Sequence, residues 1–225
     1  MNERNEPRVF SIAADNPPAP GCTISRPEGG RNGYHVLHFS LAAGTSISPE
    51  SYDYPKLWLV LAGAVSVVCP ATDERPALPV TPVGSGELYL TPQGRPVGAD
   101  AKEHCVYTEI ILLKESAMND ILQAGAVFAL KDLLPCQEGR IVNMDLVKDE
   151  KLKFALMSFA PGTSLSEHAA PGEALVFALE GEGVIGYEGR EHAIRAGENF
   201  RFAKNGKHWV RADKPFKMAL LLVLD

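Results

Sequence analysis

The chain has 225 residues, 45% of them apolar and 22% charged, which is the balance of an ordinary globular protein with room for one or two cores. A net charge of −6 argues against a nucleic-acid or anionic-membrane partner, and no basic patch offsets it. The opening MNERNEPRVF carries charges where a signal peptide needs an apolar stretch, and nothing approaches about 18 consecutive apolar residues. A cytoplasmic protein with no membrane span is the expectation.

In chain order, residues 1–33 are expected to be irregular, because PPAPG (residues 17–21) and PEGG (residues 27–30) leave no room for a helix. Strands are predicted at 34–41, 57–61, 64–68, 87–90 and 106–113, each short, rich in β-branched or aromatic residues and bounded by turn residues. Residues 116–126 are the one stretch that reads as a helix. Ser116 can cap it, Met118, Ile121 and Leu122 fall at three-and-four spacing, and Gly125 closes it. A second set of strands is predicted at 151–159, 174–179, 183–187, 191–194, 199–202 and 217–224. The last of these contains MALLLVL, apolar on both faces, and so needs cover on both. Many short strands with glycine turns make this an all-β chain, an antiparallel sandwich or barrel used twice.

The repetition is explicit. AAGTSISPESYDYPKLWLVLAG, running from Ala42 to Gly63, returns as APGTSLSEHAAPGEALVFALEG from Ala160 to Gly181, an offset of 118 residues. Eight of 23 positions are identical between residue 41 and residue 63 and their partners, and Val9-Phe10 matches Val127-Phe128 at the same offset. Downstream, Gly86-Glu87 meets Gly197-Glu198 at an offset of 111, so the first copy carries seven extra residues within the Pro-rich stretch 69–84. The domains predicted from this are 1–115, a helical connector at 116–126, and 127–225.

The four cysteines, Cys22, Cys69, Cys105 and Cys136, form no C-x-x-C pair and have no histidine at a zinc-finger spacing, so they read as reduced structural thiols. Cys22 and Cys136 occupy similar places in the two copies, and a disulfide between them requires the fold to bring them together.

The second copy carries Gly162, then His168 six residues on, then an apolar strand ending at Gly181. Gly197 follows, with His208 eleven residues beyond it. This order resembles the two motifs of the cupin superfamily, and the duplication resembles bicupins. Gly44, Gly63, Gly86, Pro92 and Gly94 fit the same scaffold in the first copy. The resemblance implies two double-stranded β-helix barrels of jelly-roll type in one chain, joined here by the short helix, each with a pocket inside. Because a bicupin resembles a cupin dimer within one chain, a monomer or homodimer is expected.

Cupins typically hold a metal with two histidines one residue apart, a glutamate and a histidine of the second motif. The second copy has His168, Ala170, Ala174 and His208 at these places, and the first has Glu50, Tyr52, Lys56 and Val97. The resemblance therefore implies at most one divalent ion, zinc, nickel, iron or manganese, held by His168 and His208. Glu173 is one residue out of register, and such a shift turns a strand side chain to the other face. His192 alternates with Ile194 and reads either as a third inward imidazole or as an edge-strand surface residue.

Other polar residues carry two readings as well. Glu50, Tyr52 and Lys56 are either an acid–base or anion-binding trio or a solvated rim. Glu109 sits within the apolar VYTEIILL and needs a partner if buried, or else points outward. His35, His38 and His104 read as structural, and Trp209 is expected to point away from the pocket beside His208. Two functions stay open. One is a protein that binds a small polar molecule in its C-terminal barrel through His168 and His208, with an incomplete metal site. The other is a weakly metal-dependent isomerase, lyase or dioxygenase acting on a small organic acid or sugar derivative.

Overall fold

The computed structural model describes residues 7–29 and 36–224. Tyr34 and His35, and with them the start of the first predicted strand, lie outside the described residues. In chain order the strands are β1 (Thr23–Gly29), β2 (Val36–Leu41), β3 (Thr45–Ser51), β4 (Lys56–Ala62), β5 (Ala64–Val68), β6 (Thr81–Gly84), β7 (Glu87–Leu90), β8 (Pro96–Ala101), β9 (Cys105–Ile111), β10 (Ala117–Met118) and β11 (Val127–Ala129). The second half continues with β12 (Ile141–Lys148), β13 (Leu152–Phe159), β14 (Thr163–Ala169), β15 (Gly172–Tyr187), β16 (Arg190–Arg195), β17 (Asn199–Phe202), β18 (Lys207–Ala212) and β19 (Phe216–Leu224). Among the described residues no helix is long and apolar enough to cross a membrane.

The described residues divide into two compact units. One comprises 12–29, 36–116 and 120–129, and the other 7–11, 117–119 and 130–224. The N-terminal unit has a six-stranded sheet, β1-β2-β9-β4-β7-β11, and a four-stranded sheet, β3-β8-β5-β6. Val60, Tyr89 and Tyr107 from the first and Val65, Val67 and Ala99 from the second share one core. Alternate residues of each strand point into this core, and on β4 and β9 the opposite face is buried as well. The C-terminal unit repeats the plan with β12, β13, β19, β15 and β17 on one side and β14, β18, β15 and β16 on the other. Its core joins Phe159, Val176 and Phe216 to Ile185, Ile194 and Val210. β19 lies between β13 and β15, and its neighbours Met218 and Ala219, which point to opposite faces, are both buried.

One glycine per unit lets the chain pass from one sheet to the other. Gly63 (φ 68°) separates β4 from β5, and Gly181 (φ 75°) bends the 16-residue β15. A Cβ at Gly63 would lie 1.8 Å from the His104 carbonyl oxygen, and one at Gly181 would lie 2.0 Å from that of Pro215. Only glycine tolerates both the left-handed backbone and the approach. The two predicted strands 174–179 and 183–187 are accordingly one continuous strand.

The leading segment of each copy pairs with the unit of the other copy. Phe10 bridges Asn199, and Phe128 pairs with Leu88, positions that correspond under the two sequence offsets. This arrangement corrects the connector. Residues 116–126 form turns and the two-residue β10 rather than a helix. Eleven residues nucleate a helix poorly without a buried stripe, and here Leu122 is buried while Met118 and Ile121 are exposed. The backbone bonds outward instead, Asn119 N to Leu146 O at 2.8 Å and Gly125 N to Leu90 O at 2.7 Å. The N-terminal expectation is corrected too. Ile12–Asp15 is a short helix, and Thr23–Gly29 is a strand, β1, whose Pro27 is tolerated because β1 is an edge strand with a bulge beside it.

Candidate functional site

Lys56 and Glu109 converge inside the N-terminal barrel. Lys56, Trp58 and Val60 alternate along β4, and Cys105, Tyr107 and Glu109 along β9, so one face of each strand aims at the core. The antiparallel register sets Trp58 directly across from Glu109. Glu109 is 3% exposed, and it is not unpaired: the Trp58 indole Nε1 donates to Oε2 at 2.7 Å. The Lys56 ammonium stands 3.3 Å from Oε1 and 3.4 Å from Oε2. A buried carboxylate persists only with such partners. The outward reading of Glu109 is thus replaced by an inward one.

Lys56 is buried as well, which corrects its reading as part of a solvated rim. Its backbone N–H donates to the Thr91 hydroxyl at 2.8 Å, and its ammonium lies 3.7 Å from the centre of the Tyr52 ring. Tyr52 in turn donates to the carboxylate of the exposed Glu50. That hydrogen bond, aided by burial and the Glu50 charge, pushes the Tyr52 phenol up to about 12. Burial, with the charge of Glu109 behind it, raises Tyr54 as well. Both phenols therefore stay protonated donors at neutral pH. Around these groups lies a recess of about 240 Å³, open to solvent, also lined by Thr91, Arg95 and Val97. Arg95 donates an Nη hydrogen to the carbonyl of Pro76, in the loop that the second copy lacks. Its buried Nε has no acceptor among the described residues.

In the C-terminal barrel His168 and His208 are brought together. They face each other across β14 and β18, with ring centres 4.3 Å apart. The equivalent pair in the other barrel is Glu50 and Val97. Each histidine directs Nδ1 at a backbone carbonyl 2.9 Å away, Ser166 for His168 and Gly206 for His208. A carbonyl only accepts, so Nδ1 carries the proton and Nε2 keeps its lone pair. His168 is exposed, whereas His208 is 4% exposed and stacks on Phe202 at 4.0 Å. Burial, together with the nearby charge of His168, lowers the His208 pKa, against the pull of the Gly206 carbonyl.

His192 turns inward, its ring 5.0 Å from Phe200 and its buried Nε2 without a partner among the described residues. It does not complete a metal site, because no group of three or more His, Cys, Asp or Glu side chains among the described residues is placed to hold an ion. Glu173 is exposed, as its register shift requires. The donor set therefore fits two imidazoles and not the full cupin complement.

The remaining residues have structural places. His38 is buried between Thr108 and Glu28, each 2.9 Å away. His104 accepts from the Ala43 N–H at 3.1 Å. Trp209 lies half-buried against Gly186 with Arg211 over its ring. All four cysteines are free, and burial pushes the Cys105 thiol up to about 12. Tyr54, Thr91 and Arg95 escaped the sequence reading. The one signal for them was that the first copy puts Tyr, Thr and Arg where the second has Gly172, Phe202 and Gly206.

Residues 155–224 match the family described as Cupin domain. Among curated proteins no sequence matches. Of solved structures, the cupin 2 conserved barrel domain protein from Leptotrichia buccalis is similar over 96% of each chain, with 24% identity and a TM-score of 0.82. Oxalate decarboxylase from Bacillus subtilis, solved at pH 4.6, is similar over 97% of this chain and 76% of its own, with 12% identity and a TM-score of 0.56. At these identities the likeness is one of fold.

Proposed function

From a fold shared with cupin barrels, and a stretch, residues 155–224, that matches the Cupin domain family, we propose that the chain binds a small polar molecule, and that its working pocket is the one inside the N-terminal barrel. The observation that carries this reading is the buried Lys56–Glu109 pair beside an open recess. Evolutionary duplicates share a backbone, and a barrel that needed only stability would be filled with apolar side chains, since a buried ion pair is often replaceable by them at no loss. Holding Lys56, Trp58, Tyr52 and Glu109 in one network fixes their positions toward the recess. Such preorganised polar groups in an otherwise aromatic wall are the usual make-up of a small-ligand site.

The test is a thermal-shift screen of organic acids, amino acids, polyols and simple sugars. A hit should lose its stabilisation in Lys56→Met and in Val97→Phe, which fills the recess without touching a charge, and keep it in His168→Ala and His208→Ala. The opposite pattern would move the site to the C-terminal barrel.

A second reading is supported by the tautomers of His168 and His208. With both Nε2 lone pairs open, the pair is a two-imidazole clip for a divalent ion, and this is the form in which the C-terminal barrel takes part in binding. Zinc titrated by calorimetry should bind weakly, with loss in His168→Ala. Tight binding that survives His168→Ala would exclude the clip.

A further inference from the structure

Resting on the N-terminal pocket as the working site, we propose that its ligand is a small carboxylate and that Arg95 is the residue selecting for its charge. The argument is a balance of donors and acceptors. Glu109 is already engaged by Trp58 and Lys56, and Glu50, exposed to water at the mouth, by Tyr52. The buried acceptor of the wall, Glu109, is thus taken. Donors remain. The Thr91 hydroxyl accepts from the Lys56 N–H and so keeps its own proton to give. The Lys56 ammonium has three hydrogens, and Tyr54 is held protonated. Arg95 Nε is buried without an acceptor among the described residues. A wall rich in donors calls for a ligand rich in acceptors.

Charge sharpens the class. Lys56 and Glu109 cancel within the wall and Glu50 lies exposed at the mouth, whereas among the described residues the Arg95 guanidinium bonds the neutral carbonyl of Pro76. An anion at Nε supplies what a neutral acceptor would not, a charge-assisted bond in a recess partly shielded from water. A small acid with a hydroxyl or keto group for Tyr54 or Thr91 would meet these donors at the mouth of the recess.

Two features of the sequence converge on Arg95. The second copy has Gly206 in its place, where a Cβ would lie 2.5 Å from the Tyr187 hydroxyl, and it also lacks the seven residues around Pro76 that brace the guanidinium. Anchor and brace occur together in one barrel and are both missing from the other.

The test compares glycolate, pyruvate and malonate with their neutral amides by calorimetry, on wild type, Arg95→Met and Arg95→Lys. At least one acid should bind about tenfold or more tighter than its amide, Arg95→Met should remove most of that difference, and Arg95→Lys should restore part of it. If Arg95→Met fails to fold, the acid–amide comparison and Arg95→Lys still decide. Equal binding of acids and amides, with affinity still lost in Val97→Phe, would overturn the carboxylate while leaving the pocket. Acids that bind equally well to wild type, Arg95→Met and Val97→Phe would overturn both.

Discussion

Where the N-terminal barrel places Lys56, Trp58, Thr91, Arg95 and Glu109, the C-terminal barrel has Ala174, Val176, Phe202, Gly206 and Leu220 at the equivalent positions. The strand register is the same in both. Trp58 pairs with Glu109 as Val176 pairs with Leu220, and Lys56 pairs with Ile111 as Ala174 does with Leu222. One backbone plan therefore supports a polar interior in one unit and an apolar one in the other. The histidine pair runs the other way: the apolar barrel has His168 and His208 where the polar one has Glu50 and Val97. Scaffold and chemistry have separated, as expected when sites are grafted on folds.

The largest effect that tests this contrast is Glu109→Ala, which leaves the Lys56 ammonium buried without its carboxylate and should cost about 3–5 kcal/mol in chemical denaturation. Lys56→Met combined with Glu109→Leu, which gives the N-terminal barrel an apolar pair like that of its partner, should recover most of the loss. If the double variant is as unstable as the single one, the network is needed for folding and not for binding.

A smaller effect probes the shared scaffold. Gly63→Ala and Gly181→Ala each force a Cβ against a carbonyl from a left-handed backbone, and each should cost roughly 2–4 kcal/mol. Similar losses confirm equal bends. A tolerant Gly181 would show that the long β15 carries its turn differently.

The smallest effect is confined to the histidine pair. The folded state lowers the His208 pKa, so the unfolded chain binds a proton more readily. The stability this residue contributes is fully present above the unfolded value, about 6.5, and falls away as pH drops through the folded value. His208→Gln should flatten that part of the pH–stability curve. A curve unchanged by the substitution would mean that His208 is not buried as described.

Much of the architecture was legible because a duplication repeats its own signals. The glycines at 63 and 181 and the apolar runs before them mark the same bend twice. The mostly exposed strands β3 and β14 were missed, since TSISPES and TSLSEHA carry few apolar residues and bury none of them fully. The helix at 116–126 was a false periodicity, because three apolar residues at helical spacing do not share a buried face here. The histidine pair could be read from spacing. The pairing of Lys56 with Glu109 could not, since those residues are far apart in sequence and meet only through the register of β4 on β9. Arg95 was hidden for the same reason: its brace at Pro76 comes from a loop with no pattern of its own.

The chain's two tryptophans allow the central claim to be tested directly, because Trp58 lines the N-terminal recess and Trp209 lies on β18 of the other barrel. In Trp209→Phe the fluorescence of Trp58 is read alone. Titrating this variant with the acid that binds best by calorimetry should give a saturable change in emission with the calorimetric affinity, and the change should vanish when Val97→Phe is added. Heat of binding with no change in Trp58 emission, or a change that depends on His168 and His208, would contradict the assignment of the working site to the N-terminal barrel.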